Sequence, residues 1–178
     1  RELVSMGMDT TGWQRNRGLR VIGGGHLLHF PWPEQASFPS YGMARPRALL
    51  DRDLAEHAAA AGARLLTGVT VTAPVTSPTG RVTGVEARPT NRVAYPGIEG
   101  PTTFTAPLVV DAGGVSARLA TAVGRTKNER RPMGVAVRAY FRSPRAQDAW
   151  MESRLELWDG TPGKSDLLPG YGWIWSVG

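Results

Sequence analysis

The sequence predicts an α/β protein with α+β elements, and three observations carry that prediction. Residues 45–74, "RPRALLDRDLAEHAAAAGARLLTGVTVTAP", join a helical repeat to a β-branched run. "PLVVDAGG" is a short apolar run that ends on an acid and two glycines, as a buried parallel strand does at the carboxyl edge of its sheet. From Gly134 onward "GVAVRAYFRS", "LELWDG" and "GYGWIWSVG" are alternating, tryptophan-rich runs broken by turn residues, which predicts an antiparallel sheet.

Each element has a local cause. Glu2 to Asp9 read as the tail of a helix or a loop. "RVIGGGHLLHFPWPE" opens like a phosphate-binding turn, but the position where a third glycine would let helix and strand pack holds Leu28. Pro31 and Pro33 also forbid a following helix. The stretch therefore predicts a hairpin, Leu19–Ile22 with His26–Phe30, closed by glycines.

In the helix, Leu50, Leu54, His57, Ala58 and Ala61 recur at helical spacing. Pro46 suits the first turn and Gly62 a left-handed cap. "RLLTGVTVTAP" predicts a strand ended by Pro74, and "GRVTGVEARP" a half-buried strand. Ser116 is placed to cap a short helix, "ARLATAVG", closed by Gly124.

Composition narrows the chemistry. Of 178 residues, 41% are hydrophobic and 20% charged, which suits a globular chain. Cysteine is absent, which excludes disulfides and thiolate chemistry within these residues. No apolar run reaches the ~18 residues of a membrane span. The net charge is +6, densest in "RTKNERR", Arg125 to Arg131. That cluster reads as a solvated loop after a helix, with an anionic membrane surface or a phosphate-bearing cosubstrate as functional alternatives. Aromatics do not interleave with it, which argues against nucleic acid. His26 and His29, three apart on a strand, face opposite sides and make no metal pair. His57 reads as a packing residue. No nucleophile elbow or phosphate loop is present, and neither a catalytic residue nor a metal ligand stands out.

One assembly of motifs resembles a known family. "RALLDRDLAEHAAAAGA" fits an Arg-x-x-(Phe/Leu)-Asp-x-x-Leu helix, "LVVDAGGVSARLA" an acid–glycine strand turn, and "PGYGWIW" a Tyr-x-Trp-x-Phe-Pro signature. Together they resemble the middle of FAD-dependent oxidoreductases of the geranylgeranyl reductase family, within the group shaped like aromatic hydroxylases.

The resemblance implies part of an FAD-binding domain and part of an antiparallel substrate sheet. Residues 1–40 would form a substrate-domain hairpin and linker, 41–125 the partial FAD-binding domain, and 126–178 the partial substrate sheet. It implies FAD as cofactor, with Arg47 at the phosphate and ribose (Arg45 as fallback) and Val71 lending backbone to the adenine. Asp111 would sit in the turn near the cofactor or only accept bonds from neighbouring backbone donors; Gly113 stands where relatives often carry a second acid. Tyr171, Trp173 and Trp175 would line an isoprenoid pocket or simply form a sheet core. Trp175 replaces the family's Phe and Ser176 its Pro.

The implied activity is saturation of carbon–carbon double bonds in a polyprenyl chain, on a prenylated quinone such as menaquinone or a geranylgeranyl lipid or diphosphate. An aromatic monooxygenase on the same scaffold and a non-catalytic basic membrane-docking module are the alternatives. The expected location is cytoplasmic, with peripheral contact at the inner face of the cell membrane. The electron donor is unspecified. The chain itself, starting at Arg1, reads as an internal fragment, with the glycine fingerprint for FAD expected upstream and little flavin binding or turnover from these residues alone. Arg47 and the tryptophan-rich layer are expected as two walls of one crevice.

Overall fold

A computed structural model describes residues 1–90, 97–126, 128 and 130–178, with the backbone alone of residue 116. The chain divides into two compact units, Arg1–Ala63 with Arg138–Gly178, and Arg64–Val137. These units cut the chain at other points than the expected segments 1–40, 41–125 and 126–178. The reason is strand pairing between the two ends of the chain.

In the first unit, α1 (Glu2–Ser5) is followed by β1 (Gln14–Asn16), β2 (Gly18–Gly23) and β3 (His26–Pro31). β2 and β3 form the expected hairpin, with Leu19 opposite Phe30 and Ile22 opposite Leu27. Gly24 and Gly25 both take positive φ, 57° and 76°, the conformation a two-residue turn with the right twist requires. β4 (Gly42–Ala44) pairs antiparallel with β1.

α2 spans Arg47–Ala60. Pro46 precedes it, and Gly62, at φ 98°, closes it. The Gly62 N–H donates to the Ala59 carbonyl and the Ala63 N–H to the Ala58 carbonyl, the paired bonds of a Schellman end. His57 Nε2 lies 3.0 Å from the Met6 carbonyl, the packing role expected of it.

The C-terminal part supplies β8 (Trp150–Arg154), β9 (Leu157–Trp158), β10 (Leu167–Leu168) and β11 (Gly172–Ile174). Four strands form one sheet in the order β11-β8-β2-β3. The expectation of a purely antiparallel sheet is corrected here. β2 and β8 run parallel, Arg20 beside Glu152, because the long stretch of chain between them permits a crossover that a hairpin cannot make.

The second unit holds β5 (Val69–Thr76), β6 (Val82–Pro89) and β7 (Thr102–Thr105) in one antiparallel sheet, with β5 at an edge. Pro74 lies inside β5 and does not end it. An edge strand with a register shift between Val71 and Ala73 tolerates the missing donor. α3 (Arg118–Ala122) packs against β5. Ala117 stands at its N-cap, and no side chain caps there; the side chain of Ser116 lies outside the description.

Two further expectations are corrected. "PLVVDAGG" forms no strand, and Leu108 and Val110 are 76% and 77% exposed. "GVAVRAYFRS" likewise forms no strand, with Val135 and Val137 almost fully exposed. Apolar runs and alternation report suitability for a strand. They do not supply the neighbouring strand that hydrogen bonding demands, and none pairs with these segments among the described residues.

Candidate functional site

The sheet of the first unit has two chemically distinct faces, because side chains alternate along each strand. On one face, Ile174, Glu152, Arg20 and His29 lie in one cross-strand row. Arg20 Nη1 donates to Asp148 Oδ2 at 2.7 Å and to Glu152 Oε2 at 3.2 Å. Arg145 Nη2 reaches the same two carboxylates at 2.8 and 2.7 Å, and Arg154 Nε reaches Glu152 Oε1 at 2.9 Å. Glu152 is almost fully buried at 2% exposure, so its charge depends on these arginines.

The Arg20 hydrogen bond is the main cause that holds Asp148 well below the usual carboxylate range. Burial pushes Glu152 up, but the bonds from Arg145 and Arg20 prevail and leave it lowered. His29 accepts from Arg20 Nε at 3.1 Å and its ring meets Trp150 at 4.5 Å. Both carboxylates are bound by guanidinium groups, so this face is a structural clamp and offers no free base.

The opposite face is apolar. Trp173 pairs with Ser153, Ser153 with Val21, and Val21 with Leu28. The adjacent row carries Met151, Leu19 and Phe30. Tyr171 stands edge-on to Trp173 at 6.0 Å. Tyr171, Trp173 and Trp175 remain 64%, 43% and 43% exposed, so they do not form a closed sheet core. Leu28 and Phe30, at about half exposure, continue the same open apolar surface.

The expected cofactor residues fall in both units. Arg47 opens α2, where no side chain caps the end and no acid occupies the first turn. Its backbone N–H donates to Tyr140 Oη at 3.0 Å. Its Nε pairs with Asp51, and its side chain stays 58% exposed. Arg45 is different: it is largely covered and holds Asp53 Oδ2 through Nε and Nη2 at 3.0 and 2.9 Å. An exposed guanidinium at a positive helix end suits phosphate oxygens, whereas Arg45 is committed to its own unit.

Val71 lies on β5, which among the described residues has a partner strand on one side only. Asp111 bridges the turn into α3. Its Oδ1 accepts the Gly113 N–H at 3.0 Å, and its Oδ2 accepts the Ala120 N–H at 2.9 Å. Asp111 thus does for α3 what Ser116 was expected to do. Because α3 packs on β5, Asp111 and Val71 belong to neighbouring elements.

Arg47 and the aromatic row share the first unit. A cavity of about 730 Å³ in that unit has none of Arg47, Tyr171, Trp173 or Trp175 in its wall. The expected single crevice for these residues draws no support from it. Lys127 and Glu129 of the basic cluster lie outside the described residues; Arg125, Arg130 and Arg131 are exposed. No metal-binding group of three or more ligands occurs among the described residues.

The charged clamp, the Tyr140 bond to Arg47 and the bond that the Trp32 indole N–H donates to Asn16 Oδ1 were not foreseen. Arg20 and Glu152 are 132 positions apart, and only the parallel pairing of β2 with β8 makes them neighbours.

The fold is shared, over 67% of the chain, with a solved structure. The chain is similar to the myxobacterial chondrochloren halogenase CndH, described as a new variant of FAD-dependent halogenases, with a TM-score of 0.55 and 20% identity over 67% of this chain and 27% of that one. Among curated proteins it is 37% identical to the menaquinone reductase of Mycolicibacterium smegmatis over 164 residues, 92% of this chain and 36% of that protein. It is 35% identical to the menaquinone reductase of Mycobacterium tuberculosis over 166 residues, with the same coverage. The resemblance to FAD-dependent polyprenyl reductases read from the sequence is borne out by these relatives. The chain spans about a third of their length. No protein-family model matches it.

Proposed function

We propose that the protein carrying this chain is an FAD-dependent reductase that saturates carbon–carbon double bonds in a polyprenyl chain. The substrate class is a prenylated quinone such as menaquinone, with geranylgeranyl lipids or diphosphates as close chemical relatives. The observation that carries the reading is the open apolar face that bears Trp173 on β11 and, across β8 and β2, Leu28 and Phe30 on β3, with Tyr171 edge-on to Trp173 and Trp175 exposed just after β11. A hydrocarbon chain is bound through buried area and needs few polar contacts, which is what this face offers. The likeness to menaquinone reductases over 92% of the chain supports the same substrate class.

Bound FAD would supply the two-electron chemistry of the saturation. Arg47 would hold its phosphate region through a charged hydrogen bond, and the β5 edge at Val71 would meet the adenine through backbone groups. Asp111 would act on the cofactor only through the turn it ties to α3. The aromatic row would hold the prenyl chain and keep water from the reacting bond. The net charge of +6 and the exposed arginines after α3 support a peripheral location on the anionic inner face of the cell membrane.

The test is flavin retention by the protein expressed from its complete gene. The expected product is yellow and holds FAD. Arg47→Met should weaken FAD binding about 10- to 100-fold, the loss of one charged hydrogen bond, with circular dichroism unchanged because the side chain is exposed. A colourless protein that takes up no added FAD overturns the proposal.

A further inference from the structure

The cavity of about 730 Å³ in the first unit lies apart from the aromatic row of β11 in its lining residues. Its walls come from α1, the residue before β1, the segment after β3 and the start of β4. Leu3, Val4, Trp13, Trp32, Phe38 and Tyr41 supply most of its surface. The size falls within the ~300–1,000 Å³ of small-molecule sites.

Three polar side chains of this lining, Ser5, Trp32 and Arg1, are engaged within the chain. Ser5 Oγ donates to the Glu2 carbonyl at 2.8 Å. The Trp32 indole N–H donates to the buried Asn16 Oδ1 at 2.7 Å, which fixes the ring as an apolar wall. Arg1, the charged residue of the lining, gives Nη1 to the Ser37 carbonyl at 2.9 Å and lies 5.9 Å from the Phe38 ring. Arg15 lies 4.4 Å over the Tyr41 ring. A polar ligand would find these donors occupied. A hydrocarbon would find aromatic faces, with Phe38 60% and Val4 49% exposed to it.

One wall residue of the cavity, Trp32, follows directly on β3, an edge strand of the sheet. Trp32 extends the β2–β3 ladder by donating its N–H to the Arg17 carbonyl at 2.9 Å. By the two-residue repeat of a strand, Leu28, Phe30 and Trp32 lie on one side. Leu28, Phe30 and Trp32 thus lead along the strand towards the cavity wall, with Arg17 opposite Trp32.

We infer that this cavity is an isoprenoid subsite, which takes the part of a polyprenyl chain distant from the bond being reduced. The inference rests on the polyprenyl reading above and extends it. It assigns two places to one long ligand: the aromatic row of β11 and a terminal hollow built around Trp13, Trp32 and Phe38.

Geranylgeraniol carrying a diazirine is the probe, photolysed with the protein expressed from its complete gene and mapped by peptide mass spectrometry. The expected result is labelling within residues 1–43 that excess unlabelled geranylgeraniol suppresses. Val4→Trp, which fills the cavity from an exposed helical position, should reduce that labelling to background while labelling of residues 171–175 persists. Phe38→Ala, which removes an exposed wall, should weaken it while circular dichroism stays unchanged. Competed labelling confined to residues 171–175, or labelling of 1–43 unaffected by Val4→Trp, overturns this inference and leaves the polyprenyl reading intact. Absence of competed labelling anywhere overturns both.

Discussion

Glu152 is the residue on which the first unit's charge balance turns. It is buried and touched by Arg20, Arg145 and Arg154. Replacing it with alanine leaves Arg20 facing a partly buried site with one partner lost, and should cost about 3–5 kcal/mol in urea unfolding. Arg154→Ala removes a 46% exposed partner and should cost under ~1 kcal/mol. Equal effects would show that the buried carboxylate is not the centre of the cluster. The same groups set a pH dependence. Asp148 and Glu152 are lowered in the folded chain relative to their ordinary values of 3.8 and 4.5. The unfolded chain therefore binds more protons in acid. Their stabilisation is complete above those values and is lost as pH falls through them towards the lowered folded values. The urea midpoint should fall steeply below about pH 4, and Asp148→Asn should flatten that fall. A slope unchanged by the substitution contradicts the assignment. In the second unit, Asp111→Ala should destabilise by about 0.5–2 kcal/mol, since it frees two backbone donors, Gly113 in the turn and Ala120 in the first turn of α3.

The elements differ in how far local sequence defines them. The β2–β3 hairpin and α2 were legible because their signals are local: a glycine pair between two short apolar runs, and a leucine–alanine repeat stopped by Gly62. The strand at "TGVTVTAP" was legible except at its end, where an edge position excused Pro74. The runs at 108–110 and 134–142 misled because their patterns describe a side chain's preference and not a backbone's partner. The parallel pairing of β2 with β8 was not legible, since no turn links those strands and register alone brings Arg20 to Glu152. Gly18 tests that junction. A Cβ there would stand 2.3 Å from the Phe30 carbonyl oxygen and 2.5 Å from Trp150 Cζ3. Gly18→Ala should push β2 from its neighbours and cost about 1–3 kcal/mol. A neutral effect in thermal unfolding would mean the β3–β2–β8 packing is looser than described.

For the whole molecule, the proposed site rests on motif more than on geometry. Arg47, the first residue of α2, is exposed, and Trp173 of β11 stands on an open face, as the proposed cofactor contact and hydrocarbon wall need. The cavity around Trp13 and Trp32 left no sequence signature, because its lining joins a short helix, a proline-rich turn and two strand ends. Among the described residues, the buried apolar side chains are Met8, Ala87 and Ile98, while Val135, Val137 and Phe141 are at least 86% exposed. So much exposed apolar surface predicts strong binding of the dye ANS by the isolated 178-residue chain. Weak ANS fluorescence would show that these segments are covered. Mass spectrometry of the whole protein's product decides between saturation of the prenyl chain and its alternatives. The protein expressed from its complete gene, given FAD, an electron donor and menaquinone without oxygen, should return a quinone whose prenyl chain has gained two hydrogens. A prenyl chain of unchanged mass, or a product that forms only with oxygen and carries it, would contradict the account.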